Sequence, residues 1–436
     1  MNRIKVVTIV GANGTMGTNV SGIFALFGNA KVYMVCRDKL KAENAKELVS
    51  KRICEEKIIK NLVPVDFSEL DKCVSESNLV FESVTEDILV KKVTVEKIAR
   101  FLRPDAVICS GTSGLSITAL AEYLPEELRG RLMGVHMFNP PYSLSLCEVI
   151  RTKYTDPILM DEICIYLKEV MQRTVVVVKD TPAFLANRIG FQFINEAMQI
   201  AETYKEKGGV DYVDSIMGPF TGRAMAPLAT ADFVGLDVHK TIVDNIYKNT
   251  NDYARETFVL PDFVQELIDK GMLGRKVRAG LYKMEKMDDG NKKLMTYDIG
   301  LGKYRPKREY ELPFAKKMNE LIGDGDYRGA VSVLINDSSE EATLCLQMML
   351  KYIVYSLITV NEAGLDIHAA DAAMATGFNW CTPLAMIDLF STVVTFNDLV
   401  KDRLSCNKLR WDELNRCLLW IEPSYYDYRA YFKVSK

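Results

Sequence analysis

Lys5-Val6-Val7-Thr8-Ile9-Val10-Gly11-Ala12-Asn13-Gly14-Thr15-Met16-Gly17 is the stretch that decides the fold. Residues 5–10 are β-branched and apolar enough for a buried parallel strand. They run straight into a glycine cluster and then into an apolar, helix-like stretch reaching Phe27. Strand, glycine turn and helix open a βαβ unit. Further strands are expected at Lys31 to Cys36, Asn78 to Val84, Ala106 to Cys109 and Thr174 to Val178. Helices are expected around Leu40 to Ile59 and Ile88 to Phe101. Alternating strands and helices predict a doubly wound parallel sheet with right-handed crossovers.

Three glycines at such a turn let the backbone approach a pyrophosphate and seat it on the helix N-terminus, where N–H groups and the dipole favour an anion. Gly11, Gly14, Thr15, Met16 and Gly17 are the candidate contacts. The spacing G-x-x-G-x-x-G is one residue longer than the usual dinucleotide fingerprint, and a tight turn without a ligand is the alternative. The second strand would normally end on a carboxylate for the adenosine ribose, which would repel the 2′-phosphate of NADP. Here it ends Val35-Cys36-Arg37-Asp38. With Cys36 in the acidic position, Arg37 could pair with a phosphate, so NAD and NADP both stay open; the other reading has Asp38 serving the ribose and Arg37 solvated.

From Pro182 onward the chain reads mainly as helices, with a hairpin expected around Met287-Asp288-Asp289-Gly290-Asn291. This part contains an echo. The segment from Val210 to Gly218 followed by Ala226-Pro227-Leu228-Ala229-Thr230-Ala231-Asp232 resembles Ile367 to Met374 followed by Thr382-Pro383-Leu384-Ala385-Met386-Ile387-Asp388. Two helical domains of one type in tandem fit this pattern. The expected division is 1–181, 182–310 and 311–436.

Composition narrows the function. The chain has 436 residues, is 48% hydrophobic and 26% charged, and carries a formal net charge of −3, which fits a globular protein and argues against a general nucleic-acid binder. No membrane span or signal sequence is read, so a cytoplasmic location is expected. The ten cysteines are scattered without C-x-x-C or zinc spacing, so no metal site is expected. The only histidines are His136, His239 and His368, and an enzyme needing an imidazole base must choose among them.

Four further segments carry chemistry: Ser110-Gly111-Thr112-Ser113-Gly114, Gly134-Val135-His136-Met137-Phe138-Asn139-Pro140, Leu146-Cys147-Glu148-Val149-Ile150, and Thr181-Pro182-Ala183-Phe184-Leu185-Ala186-Asn187-Arg188. In order and near-matching spacing they resemble the 3-hydroxyacyl-CoA dehydrogenase family, including its larger members with a second helical copy. The resemblance implies a Rossmann-type N-terminal domain followed by two tandem, mainly α-helical C-terminal domains, the second degenerate. It implies an NAD(P)-dependent enzyme of fatty acid β-oxidation or a short-chain fermentation pathway, acting on an acyl-CoA substrate. The twelve-residue interval from His136 to Glu148 fits the family's His–Glu dyad, and Glu86, Lys91, Asn139 and Lys276 would line the cofactor site. Single-copy members pair through their helical domain, so a monomer with a pseudo-dimeric helical half is expected.

The roles also follow from chemistry. Hydride transfer from a secondary alcohol needs a base near neutrality for the hydroxyl proton, which His136 would supply. Glu148 would fix its tautomer and stabilise the imidazolium. Ser113 and Asn187 would donate hydrogen bonds to the substrate oxygen. The glycines at 111 and 114, where the family usually has polar residues, could reshape the pocket for another 3-hydroxy acid derivative. A non-catalytic nucleotide-binding descendant is the remaining alternative. Lys51, Arg52 and Lys57 could meet the CoA phosphates or simply be solvated.

Overall fold

The computed structural model describes residues 4–287, 290–404 and 410–435. It contains two compact units, 1–184 and 185–436. The first is built on an eight-stranded sheet whose strands, in chain order, are β1 (Val6–Val10), β2 (Lys31–Cys36), β3 (Leu62–Asp66), β4 (Leu79–Glu82), β5 (Val107–Ser110), β6 (Leu132–Met137), β7 (Leu146–Arg151) and β8 (Thr174–Lys179). Across the sheet they lie in the order β3-β2-β1-β4-β5-β6-β7-β8. The chain leaves β1 first toward β2 and β3 and then returns to β4 on its other side. That reversal opens a crevice at the carboxyl ends of β1 and β4, the place where doubly wound sheets bind ligands. Val7, Ile9, Met34 and Phe81 from the strands pack with Val20, Ile23 and Phe24 of helix α1 (Thr15–Leu26), all fully buried.

Three features depart from the expectation. The strand β3 contains Pro64, which argues against a strand interior; it is tolerated because β3 is an edge strand. The single helix expected from Leu40 to Ile59 is broken, since α2 (Lys39–Ile53) stops at Cys54 in a left-handed conformation with φ of 54°. Most consequential, the sheet is not wholly parallel. The pair β6 and β7 is antiparallel, because the short connection 138–145 has no helix to carry the chain back across the sheet.

The second unit holds helices Ala186–Thr203, Val210–Ile216, Pro227–Val234, Leu236–Asn249, Asp262–Asp269, Pro313–Gly323, Tyr327–Asn336, Glu340–Ala363, His368–Ala373, Pro383–Ser391, Phe396–Arg403 and Trp411–Leu419. It also holds a three-stranded antiparallel sheet of β9 (Tyr282–Lys286), β10 (Lys292–Asp298) and β11 (Lys303–Pro306). The expected hairpin is the β9–β10 pair; Asp288 and Asp289 of its turn lie outside the described residues.

The internal echo has a structural cause. Asp214 accepts backbone N–H bonds from Leu228 and Ala229 at 2.8 and 2.9 Å, capping the first turn of Pro227–Val234. Asp371 does the same for Pro383–Ser391, accepting from Leu384 N–H at 2.9 Å. The second aspartate of each copy clamps a following segment: Asp232 accepts from Leu281 and Tyr282 N–H, both at 2.7 Å, and Asp388 from Ser424 N–H at 3.1 Å. These are demands of buried backbone groups for acceptors. The two copies share a core, in which Phe193 meets Tyr352 and Trp380 edge-on at 5.9 and 5.4 Å. Arg223 is fully buried among those three rings, with its guanidinium 4.0 Å from the Phe193 ring centre. The helix Glu340–Ala363 is long and apolar enough to span a membrane by length and composition, but 78% of its apolar window is buried.

Candidate active site

Gly11 ends β1 at φ +87°, and its N–H and that of Ala12 both donate to Val35 O. A Cβ at Gly11 would lie 2.6 Å from Ser83 O, and one at Gly17 would lie 2.3 Å from Gly11 O. Both positions therefore need glycine for packing alone. Gly14 differs. Its φ is −70°, it is the N-cap of α1, and a Cβ there would come no closer than 3.5 Å to Gly11 O. Among the described residues no side chain caps α1, and its first turn carries no acid, while Asn13, Gly14 and Thr15 are exposed and Met16 is half-buried. An uncapped, exposed helix N-terminus reached through a glycine fits the pyrophosphate of a dinucleotide.

At the end of β2 the Cys36 thiol is buried beneath this loop, with the backbone N–H groups of Asn13 and Ala12 directed at it. Burial pushes it up to about 11, so it stays neutral and supplies no charge for a ribose. Asp38 is the N-cap of α2: one carboxylate oxygen accepts from Lys41 N–H at 2.9 Å and the other pairs with Lys41 Nζ at 2.9 Å. These contacts hold its carboxyl below the usual range. Arg37 is exposed and makes no ion pair among the described residues.

The reversal at β7 assembles the dyad. In the antiparallel register His136 stands directly opposite Glu148, so the twelve-residue interval becomes a cross-strand neighbour pair. His136 Nδ1 lies 2.8 Å from Glu148 Oε2, and the carboxylate is fully buried. With the carboxylate as acceptor, Nδ1 would carry the proton and Nε2 the lone pair. Phe138 and Phe184 flank the imidazole at 4.6 and 5.7 Å between ring centres. The backbone leading to Phe184 is unusual, with Ala183 and Phe184 both left-handed at φ 59° and 56°.

A second cluster lies at the carboxyl end of β4. Lys91 is buried and donates to both oxygens of Glu82, at 2.8 and 3.1 Å, while Glu86 Oε2 lies 3.5 Å away. Glu82 also accepts from Ser110 Oγ at 2.6 Å and Val84 N–H at 2.7 Å. Glu86 accepts from Thr112 Oγ1 at 2.6 Å and Ser113 N–H at 2.8 Å, which ties the Ser113 turn to the Lys91 cluster. Sequence reasoning passed over Glu82, and it quoted Ser110 and Thr112 within a motif without giving either a role. The available signal was a carboxylate ending the apolar run Leu79-Val80-Phe81, since a buried acid needs a partner. Gly111 has a packing reason and was not left small for a substrate: a Cβ there would lie 2.7 Å from the Phe81 ring.

Asn139 is exposed, and its Oδ1 accepts from Asn19 Nδ2 at 3.1 Å. Arg52 donates to Asn19 and lies over the Tyr142 ring, whereas Lys51 pairs with Glu47 at 2.7 Å and Lys57 is exposed. In the helical unit Asn187 is buried at the start of Ala186–Thr203. Its neighbour Arg188 anchors that turn through Asp252 at 2.6 Å, with Glu362 a further partner. Lys276 is exposed and bound to Asp237 at 2.5 and 2.6 Å. His239 is fully buried, with Nε2 2.9 Å from Asn195 Oδ1, and His368 stacks on Tyr425 at 4.0 Å; both pack rather than face a cleft. Among the described residues no group of three or more His, Cys, Asp or Glu could hold a metal ion.

Residues 6–181 match the model of the 3-hydroxyacyl-CoA dehydrogenase NAD-binding domain, and residues 184–284 match that of the C-terminal domain of the same family. A probable 3-hydroxyacyl-CoA dehydrogenase of Bacillus subtilis is 29% identical over 79% of this chain and 43% of its own length. The chain spans about half the length of the first curated relatives it matches. The 3-hydroxybutyryl-CoA dehydrogenase of Bradyrhizobium diazoefficiens is 31% identical over 64% of this chain and 95% of the relative. The crystal structure of 3-hydroxybutyryl-CoA dehydrogenase from Escherichia coli shares the fold over 96% of this chain and 99% of that one, with a TM-score of 0.71 at 20% identity. With two consecutive domain models and a near-full-length relative in agreement, the chain belongs to the 3-hydroxyacyl-CoA dehydrogenase family.

Proposed function

We propose that this protein interconverts a 3-hydroxyacyl-CoA and a 3-oxoacyl-CoA, with His136 as general base and acid. The observation that carries the reading is the His136–Glu148 pair, in which Nδ1 is engaged by a buried carboxylate at 2.8 Å, an arrangement that would leave Nε2 to exchange a proton. A bound nicotinamide would accept or supply the hydride. In the oxidising direction Nε2 takes the C3 hydroxyl proton as the hydride leaves C3; in reduction it returns that proton to the carbonyl oxygen. Glu148 balances the imidazolium in between. Ser113 and Asn187 are assigned to the substrate oxygen, and Gly11, Gly14, Thr15, Met16 and Gly17 to the pyrophosphate. Glu86, Lys91, Asn139 and, in the helical unit, Lys276 are assigned to the rest of the cofactor.

NADP is kept beside NAD because Cys36 is neutral, Asp38 caps α2 and Arg37 makes no ion pair among the described residues. The organisation is proposed as 1–181, 182–310 and 311–436. The shared core around Phe193, Tyr352 and Trp380 supports a monomer in which the second copy takes the place of a partner.

The test is oxidation of NADH and, separately, NADPH with acetoacetyl-CoA. Turnover that disappears in His136→Ala supports the reaction class. Turnover unchanged in His136→Ala overturns it. Arg37→Ala should weaken NADPH binding at least fivefold and leave NADH binding within twofold.

A further inference from the structure

The helical unit contains a cavity of about 1590 Å³ that plays no part in the chemistry described above. None of its lining residues lies in the Rossmann unit or on the helix carrying Asn187. Its size exceeds the roughly 300–1,000 Å³ of ordinary small-molecule pockets. The chain as a whole is slightly acidic at −3, yet this cavity gathers Arg278, Lys286, Lys292, Lys307, Arg308 and Lys316. Among the described residues none of these six makes a side-chain ion pair. Arg275 and Lys283 also line it, the first over the Phe233 ring and the second paired with Glu285 at 3.1 Å. The opposing charges are Glu309 and Glu311; Asp214 and Asp232 are buried and engaged by backbone N–H groups.

Two details show that this charge is held at a cost. Lys286 and Lys292 are directly opposite each other across β9 and β10, a like-charge pair that destabilises a hairpin. Arg278 is left-handed at φ 64°, where a residue with a side chain is strained. The same face of the hairpin carries Met284 and Leu294, 57% and 38% exposed, and Phe233 adds a ring 43% exposed. Positive charge beside bare apolar surface matches a ligand with both characters. Because the cations line a concavity, a single elongated molecule reaches them better than a flat bilayer would.

We propose that this cavity is a second ligand site, for a phosphate ester of several negative charges that carries an apolar arm, the chemistry of an acyl-CoA thioester. It does not depend on the hydride-transfer reading, because it is tested by binding.

The experiment is calorimetric titration of the full chain with decanoyl-CoA, CoA and decanoate. It compares wild type with the double variant K286E/K292E and, from the other wall, K307E/K316E. Both variants should lose at least tenfold in affinity at one decanoyl-CoA site while NADH binding stays within twofold. CoA or decanoate alone should bind that site at least tenfold more weakly. If the dehydrogenase reading fails, wild type shows this site only; if the present inference fails, both variants bind decanoyl-CoA with wild-type stoichiometry and affinity. Equal affinity for CoA and decanoyl-CoA at this site refutes the apolar arm. Loss of phosphatidylglycerol-vesicle binding in the variants, with decanoyl-CoA binding intact, overturns the proposal in favour of a membrane surface.

Discussion

Replacing Glu148 with Gln keeps the shape of the dyad and removes its charge. In the native pair His136 Nδ1 is 2.8 Å from a fully buried carboxylate oxygen. When the ring takes up a proton, two unit charges centred about 4 Å apart interact by about 4 kcal/mol at an effective dielectric near 20. The Gln amide oxygen can still accept from Nδ1–H, so part of that is retained. A net loss of about 3 to 4 kcal/mol at the transition state corresponds to a fall in kcat of about 10²–10³ at 1.36 kcal/mol per tenfold. The amide can also turn its NH2 toward Nδ1, which moves the ring proton to Nε2 and abolishes the base. That deepens the loss. The assay is single-turnover oxidation of pre-bound NADH by acetoacetyl-CoA followed at 340 nm, with NADH affinity and melting temperature as controls. Affinity and melting should be nearly unchanged, because no buried charge is left unpaired in the variant. A rate within threefold of wild type would refute the assignment of Glu148 as the partner that balances the imidazolium.

The glycines should separate packing from binding. Gly17→Ala forces a methyl to 2.3 Å from Gly11 O and should lower stability by about 2–4 kcal/mol in chemical denaturation. In contrast, Gly14→Ala has 3.5 Å of clearance and should fold with stability within about 1 kcal/mol, yet bind NADH at least tenfold more weakly by fluorescence titration. Burial pushes the His239 imidazole down to about 3, so the folded state holds it neutral while the unfolded chain protonates it below about 6.5. A depressed folded value means stability is lost as pH falls through that window, by about 2 kcal/mol from pH 7 to pH 5; in His239→Gln this contribution should vanish from the denaturation profile. Arg223 is wholly buried, and among the described residues its Nε and Nη2 have no hydrogen-bond partner, so Arg223→Met should leave the melting temperature equal or higher, and a fall of more than about 5 °C would show that the ring contacts outweigh its desolvation.

The Rossmann half was legible where one period ruled. From Val6 to Gly17 the run of β-branched residues, the glycines and the apolar helix all indicated the same unit, and the structure has it there. What stayed hidden depended on partners distant in sequence. No local pattern shows that β7 runs against β6, because an apolar run such as Leu146 to Ile150 reads alike in either direction. The edge strand β3 was masked by Pro64, whose cost depends on a neighbour strand that only the fold reveals to be missing on one side. Cys36 and Arg37 were singled out by position, but that Asp38 is taken by the N-terminus of α2 follows from where that helix begins. The echoed aspartates were visible as a repeat; their reason, two buried helix starts short of acceptors, was not.

The antiparallel pairing of β6 with β7 also changes what a twelve-residue spacing means. Opposed strands hold two side chains face to face by the sum of their positions and not by their separation, so the loop 138–145 can grow or shrink without parting His136 from Glu148 as long as the ladder keeps its register. A slip of a single residue within either strand does the reverse, turning the carboxylate to the other side of the sheet with the loop length intact. Natural length variation should therefore concentrate in that loop and be absent from the strands. A search for related sites that demands a fixed interval would discard enzymes whose chemistry is the same.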